Sequence, residues 1–334
     1  MSYLETSRHS IAGVMATYNG AHYLEEQVES LWRQTRQDFE LVIRDDGSTD
    51  GTTEILQRAA ALRPDRIRLV GDELGRLGPK SSFAMLLRQT RARWIAFCDQ
   101  DDYWLPSKLA RQVTELEELE AVHGQEMPLL CCSDAAVTNS QLQVVAPSYF
   151  SKHNIRVAAG RDLALPRLLF RNYAIGATTM INAALAARCR TMPDEAVMHD
   201  WWCALVACIS GKSVVLPDAL IQYRQHGGNA VGSLRRAMPR TSSQFLEYVH
   251  LAQSNTARCV RQAQALHRAS TTFPFAIAAS ANKILNTYAS FPSQSRLERA
   301  LTILRTRSFK PGFALNGLHI YACVTAPLEL TQCD

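Results

Sequence analysis

Three carboxylates fall within four residues at Asp99-Gln100-Asp101-Asp102, directly behind the apolar run Trp94–Cys98. Like charges this close repel and raise one another's pKa unless a cation neutralises them. Hard divalent cations such as Mg2+ or Mn2+ take oxygen ligands of this kind and fill their remaining positions with water and substrate phosphates. Asp99, Asp101 and Asp102 therefore read as a metal–diphosphate site. An acidic loop that only caps the helix after Pro106 is the competing reading.

Other clusters carry weaker signals. Asp45-Asp46-Gly47 is a common turn signal, but its carboxylate can also accept the imide N–H of a pyrimidine or a ribose hydroxyl. His199-Asp200-Trp201-Trp202 sets an acid beside two indoles. An aspartate against apolar bulk has a raised pKa and suits a general base, and an indole such as Trp201 or Trp202 stacks on the apolar face of a sugar. A helix N-cap at Asp200 with buried tryptophans is the plainer alternative. His226 lies in Tyr223-Arg224-Gln225-His226-Gly227-Gly228-Asn229, where the glycines let the backbone approach a ligand. A solvated loop histidine fits the same residues.

The elements that must position these groups alternate. Residues 11–16 and 41–43 are buried strands that run into Thr17-Tyr18-Asn19-Gly20 and Asp45-Asp46-Gly47. Residues 66–70, Trp94–Cys98 and 129–132 continue the strand series. Leu24, Val28 and Leu31 recur at helical spacing, as do Leu109, Val113 and Leu116. Asp50 is placed to cap the helix that Pro64 stops. Further strands are expected at 178–181 and 213–216, flanking a helix that opens near His199. Such alternation predicts a mostly parallel sheet with helices on both faces, and ligands then bind beyond the carboxyl ends of the strands. All three of the first polar clusters fall on that edge.

Size and composition bound the rest. The 334 residues suffice for one large α/β domain and a smaller appendage. A net charge of +5 suits anionic substrates or an anionic membrane surface and is no nucleic-acid footprint. Nine cysteines show no zinc spacing and no disulfide framework, which suits reduced thiols in the cytoplasm. Glu5 and Arg8 stand where a cleaved leader needs an apolar run. A soft boundary is expected near residue 235, dividing 1–235 from a mainly helical 236–334, with residues 245–266 helical. The basic residues Arg235, Arg236, Arg240 and those between Arg296 and Lys310 form either a solvated face or a peripheral membrane contact.

The ordered motifs resemble the family 2 glycosyltransferases of GT-A fold, most closely bacterial rhamnosyltransferase-like members of cell-surface polysaccharide synthesis. The matching pieces are VMATYNGAHYLEEQVESLWRQT from Val14, LVIRDDGSTDGT from Leu41, FCDQDDYWLPSKL from Phe97, HDWW from His199 and YRQHGGNAVG from Tyr223. They cover about two thirds of the chain.

The resemblance implies an inverting, metal-dependent enzyme using Mn2+ or Mg2+, a dTDP- or UDP-sugar donor and a glycan or lipid-linked glycan acceptor. It places Thr17, Tyr18 and Asn19 in the nucleotide loop, with Tyr18 against the base and Asp46 binding it. Asp99 and Asp101 form the DxD-type pair, Asp101 being the direct metal ligand, His226 completing the metal shell and Asp102 assisting. Asp200 matches the catalytic base. Relatives often carry an asparagine near Ser81 or Ser82; GPKSSF lacks it, and Lys80 is the substitute phosphate contact. Residues 236–334 are expected to shape the acceptor cleft, form a homodimer contact or dock to a membrane. The non-enzymatic alternative is a degenerate nucleotide- or glycan-binding module.

Overall fold

The computed structural model describes residues 9–72, 74–155, 160, 162–227, 241–273, 277–306 and 313–328. The expected boundary near 235, the motif residues after Gly227, and Arg235, Arg236, Arg240 and Lys310 lie outside them.

Within the described residues the strands are β1 (Ile11–Thr17), β2 (Phe39–Asp45), β3 (Ile67–Leu69), β4 (Trp94–Cys98), β5 (Tyr103–Trp104), β6 (Leu129–Thr138), β7 (Val144–Ala146), β8 (Thr179–Asn182) and β9 (Lys212–Arg224). They form one sheet in the order β3-β2-β1-β4-β8-β6-β9-β5, with β7 hung on β6. The first four are parallel throughout. The other half is mixed: β8 runs antiparallel to β4 and β6, β9 is parallel to β6, and β5 is antiparallel to β9. Strand order reverses direction at β1, with β2 on one side and β4 on the other. That switch point is where an open α/β sheet leaves a crevice.

Side chains alternate across the sheet as a period of two requires. Val14, Val42, Ile95 and Phe97 enter one core, whereas Ile11, Met15, Leu41, Ile43 and Trp94 enter the other. The second core is closed by α1 (Ala21–Trp32), α2 (Thr52–Leu62) and α4 (Lys108–His123), through Leu24, Leu31, Leu56 and Val113. The first takes α3 (Gly78–Gln89), the short α5 (Tyr149–Lys152) and α6 (Leu165–Leu168), α7 (Ala183–Cys189) and α8 (His199–Ser210). Asp50 does not cap α2 directly; Gly51 takes the cap position, and the Asp50 carboxylate instead accepts from the Thr52 and Ala21 N–H groups.

The helical region comprises α9 (Ser242–Ser270), α10 (Ala279–Ala289), α11 (Arg296–Thr306) and α12 (Phe313–Thr325). Val260, Leu266, Leu285 and Tyr288 join the same core as α8, so these helices share the core of the sheet domain. Among the described residues no helix is long and apolar enough to cross a membrane. Eight described cysteines are free thiols, all buried except the half-buried Cys208.

Candidate active site

The nucleotide side begins with an arginine inside a strand. Arg44 on β2 is 1% exposed and forks between two acids, Asp46 and Asp72. Asp46 also accepts from the Leu77 N–H at 2.7 Å, the Gly78 N–H at 2.8 Å and the Ser82 hydroxyl at 3.2 Å. Against the opposing effect of burial, the Leu77 N–H, the Arg44 guanidinium and the Gly78 N–H hold its carboxyl below the usual range. Asp46 thus ties the loop before α3 to β2. Thr17 donates to Asp45 at 2.8 Å, and Asn19 binds the Ser48 hydroxyl and the Thr49 N–H. Neither Asn19 nor Lys80 lines the cavity: Asn19 joins two loops in a left-handed conformation (φ 46°), and Lys80 donates to the Asp194 carbonyl. Tyr18 is partly exposed with the Arg76 guanidinium 4.0 Å above its ring, a pair the sequence did not suggest.

The acidic loop is held from below by Arg224 at the end of β9. Its backbone N–H donates to Asp102 Oδ1, its Nε to the Asp101 carbonyl, and other guanidinium nitrogens to the Ser140 carbonyl and Glu26. Asp102 is 0% exposed and does not reach the cavity, so it positions the loop rather than touching a ligand. Its second oxygen has no partner among the described residues, and burial with two acidic neighbours drives its pKa up. Asp99 and Asp101 do line the cavity. Burial, then Asp101 and Asp200, push Asp99 up to about 8. His226 Nε2 lies 2.8 Å from Asp101 Oδ2. The Asp99 and Asp101 carboxylates are of the kind a hard divalent cation takes, whereas the His226 imidazole is paired with Asp101 and lies outside the cavity lining. Among the described residues no three His, Cys, Asp or Glu side chains form a ready ligand group.

α8 supplies the third component. The Asp200 carboxylate accepts from its neighbour's backbone, the Trp201 N–H, at 2.6 Å, and from the Gly176 N–H at 2.8 Å. Burial pushes Asp200 up to about 6, opposed by these donors and the Asn172 side chain. His199 stacks on Phe83 at 3.8 Å, and burial drives it down to about 3, so it is neutral. The paired indoles separate. Trp201 lines the cavity and donates to the Leu168 carbonyl, whereas Trp202 is 1% exposed in the core. Trp202 has no face to offer a sugar, which corrects the expectation that both stack.

Thr17, Tyr18, Asp46, Asp99, Asp101, Asp200 and Trp201 all line one cavity of about 920 Å3. Arg76, Arg171, Asn255 and Arg258 line it too and carried no sequence signal, because they come from loops and a helix remote in the chain. Carboxylates, guanidiniums and an indole thus face one space, with the buried Asp200 among them.

Residues 14–127 match the family described as "Glycosyl transferase family 2". A Nostoc sp. protein named as an uncharacterized glycosyltransferase is 32% identical over 224 residues, covering 66% of this chain and 66% of its own. An uncharacterized Mycobacterium tuberculosis protein is 26% identical over 218 residues, covering 64% of this chain. This chain spans 58% of that relative's length. Staphylococcus aureus TarS 1–349 in complex with UDP-GlcNAc superposes with a TM-score of 0.55 at 16% identity, over 94% of this chain and 90% of that one. A Pyrobaculum calidifontis mannosyltransferase in complex with GDP-Man and Mn2+ gives 0.50 at 19%, over 95% and 86%. At such identity these structures establish likeness of fold.

Proposed function

Because the chain carries a family 2 glycosyltransferase domain on a GT-A-type fold, we propose that it transfers a sugar from a nucleoside diphosphate to a glycan hydroxyl with inversion. The observation that carries this is Asp200, a buried carboxylate in one cavity with Asp46, Asp99 and Asp101. Tyr18 and Arg76 flank the base, and Asp46 Oδ2, which accepts from the Gly78 N–H, keeps a lone pair for a base N–H. The donor is a dTDP- or UDP-sugar. The motif resemblance favours rhamnose, and the fold shared with a UDP-GlcNAc-bound protein favours a UDP-sugar.

Asp99, Asp101 and His226 are the residues that would hold Mn2+ or Mg2+; the ion, when bound, supplies charge neutralisation for a diphosphate leaving group. The chain's own residues do the rest. Asp200 accepts the acceptor hydroxyl proton as its oxygen bonds to the anomeric carbon, and the breaking C–O bond leaves its electron pair on the diphosphate. Gly176 and Trp201 N–H groups hold both Asp200 oxygens in place. Trp201 presents its indole edge-fixed by Leu168. The acceptor is a glycan, free or lipid-linked, in surface polysaccharide synthesis, and the site works on the cytoplasmic side of the membrane. Residues 1–235 are assigned to the donor-binding domain and 236–334 to the helical part.

Calorimetric titration with dTDP, UDP, GDP and CDP, with and without Mn2+, tests the reading. Metal-dependent binding of one pyrimidine diphosphate, weakened in Asp101→Ala, is the expected result. Absence of binding to all four points to the degenerate module instead.

A further inference from the structure

α9 meets the cavity along one stripe. Asn255, Arg258, Cys259 and Gln262 recur at i, i+3, i+4 and i+7, a single helical face. The stripe is pinned at its buried end: the Gln262 side-chain Oε1 accepts from the Val197 N–H at 2.7 Å, two residues before His199. One and a half turns on, Arg268 pairs with Glu195. At the other end Asn255 and Arg258 are exposed and line the cavity. Arg258 makes no hydrogen bond or ion pair among the described residues, so its guanidinium is open to the cavity.

Apart from Arg76, which lies over Tyr18, the charged lining of the cavity falls into two groups. Its carboxylates are Asp46, Asp99, Asp101 and Asp200. The lining from residues 149–176 and from α9 holds no carboxylate but two guanidiniums, Arg171 and Arg258. Arg171 is braced by a 3.2 Å bond to the His153 carbonyl. It lines the same cavity as Asp200 and Tyr149. Guanidiniums recognise oxyacid groups through paired, charge-assisted hydrogen bonds.

We propose that Arg258 and Arg171 form an acceptor subsite for a glycan bearing an anionic oxyacid group, a phosphate, diphosphate or carboxylate. This rests on the transferase reading above. A lipid-linked diphosphate and a free acidic glycan share this chemistry, and the test separates them.

The full chain is first loaded with UDP or dTDP and Mn2+; failure of both to bind strikes the transferase reading, before any acceptor probe is added. Farnesyl diphosphate, a hyaluronan tetrasaccharide and neutral cellotetraose are then titrated separately. At least one anionic probe is expected to bind about tenfold or more tightly than cellotetraose. Preference for farnesyl diphosphate indicates the lipid-linked source, and preference for the tetrasaccharide the acidic glycan. Arg258→Gln should remove that advantage, while Arg261→Gln, exposed on the same helix but outside the cavity, should not. Equal binding of the neutral probe, no anionic binding, or an unaffected Arg258→Gln each overturns the proposal.

Discussion

Asp200 answers to two opposed demands: burial favours its neutral form, and a proton acceptor must be ionised. Its pKa near 6 lies between them. Asp200→Asn should lower transfer by about 10²–10⁴-fold while donor affinity, read by calorimetry, stays within a few-fold. In the wild type, turnover should climb as pH passes about 6 and then level. Stability moves the other way. Between pH 4 and 6 the folded chain keeps a proton that the unfolded chain has released, so stability falls as pH rises through that window. Asp200→Asn escapes that penalty and should melt higher than wild type at pH 8, with little difference near pH 3; a lower Tm at pH 8 contradicts the burial account. Arg44 makes a second residue-scale case. Replacing it with Met strands Asp46 and Asp72, at a cost of about 3–5 kcal/mol in urea denaturation. A loss below about 1 kcal/mol would show that the Leu77 and Gly78 N–H groups suffice.

Elements fix where the loops go, and some elements show plainly in the sequence. β1, β2 and β4 announce themselves as apolar runs ending in polar clusters, and their parallel pairing brings Thr17, Asp46 and Asp99 to one edge. β9 does not: residues 213–216 read as a short strand, yet it extends through Arg224, because beyond the break at Pro217-Asp218 its second half pairs again with β6 and buries Leu220 and Ile221. That second half carries the arginine that anchors the acidic loop. Arg44 was equally hidden, since a charged residue in an apolar strand looks solvent-facing until Asp46 and Asp72 are placed beside it. The separation of Trp201 from Trp202 follows from helix geometry, adjacent residues pointing about 100° apart. The turn from α8 into β9 is tight as well: a Cβ on Gly211 would lie 2.1 Å from the Pro128 carbonyl oxygen. Gly211→Ala should therefore shift backbone and cost about 1–3 kcal/mol, measured as a lower Tm.

At the scale of the whole molecule, the donor wall and the α9 wall belong to one packed body, because the helical region shares a core with α8. Ligand that binds only the folded chain should stabilise all of it together. UDP or dTDP with Mn2+ at a hundredfold excess over Kd should add about 2.7 kcal/mol and move a single melting transition upward, with EDTA reversing it. Two transitions, only one of them shifted, would show that the helices melt independently. The free thiols give that cooperativity a second use. Burial raises the thiols of Cys98, Cys131, Cys203, Cys132 and Cys208, the last two to about 12, so these five offer almost no thiolate in the native chain. The seven buried thiols among the described residues are spread from the strand beside Asp99 to α12, each sealed until its own neighbourhood parts. Alkylation timed by mass spectrometry would then act as a set of clocks already written into the chain, each ticking at the rate at which one region breathes.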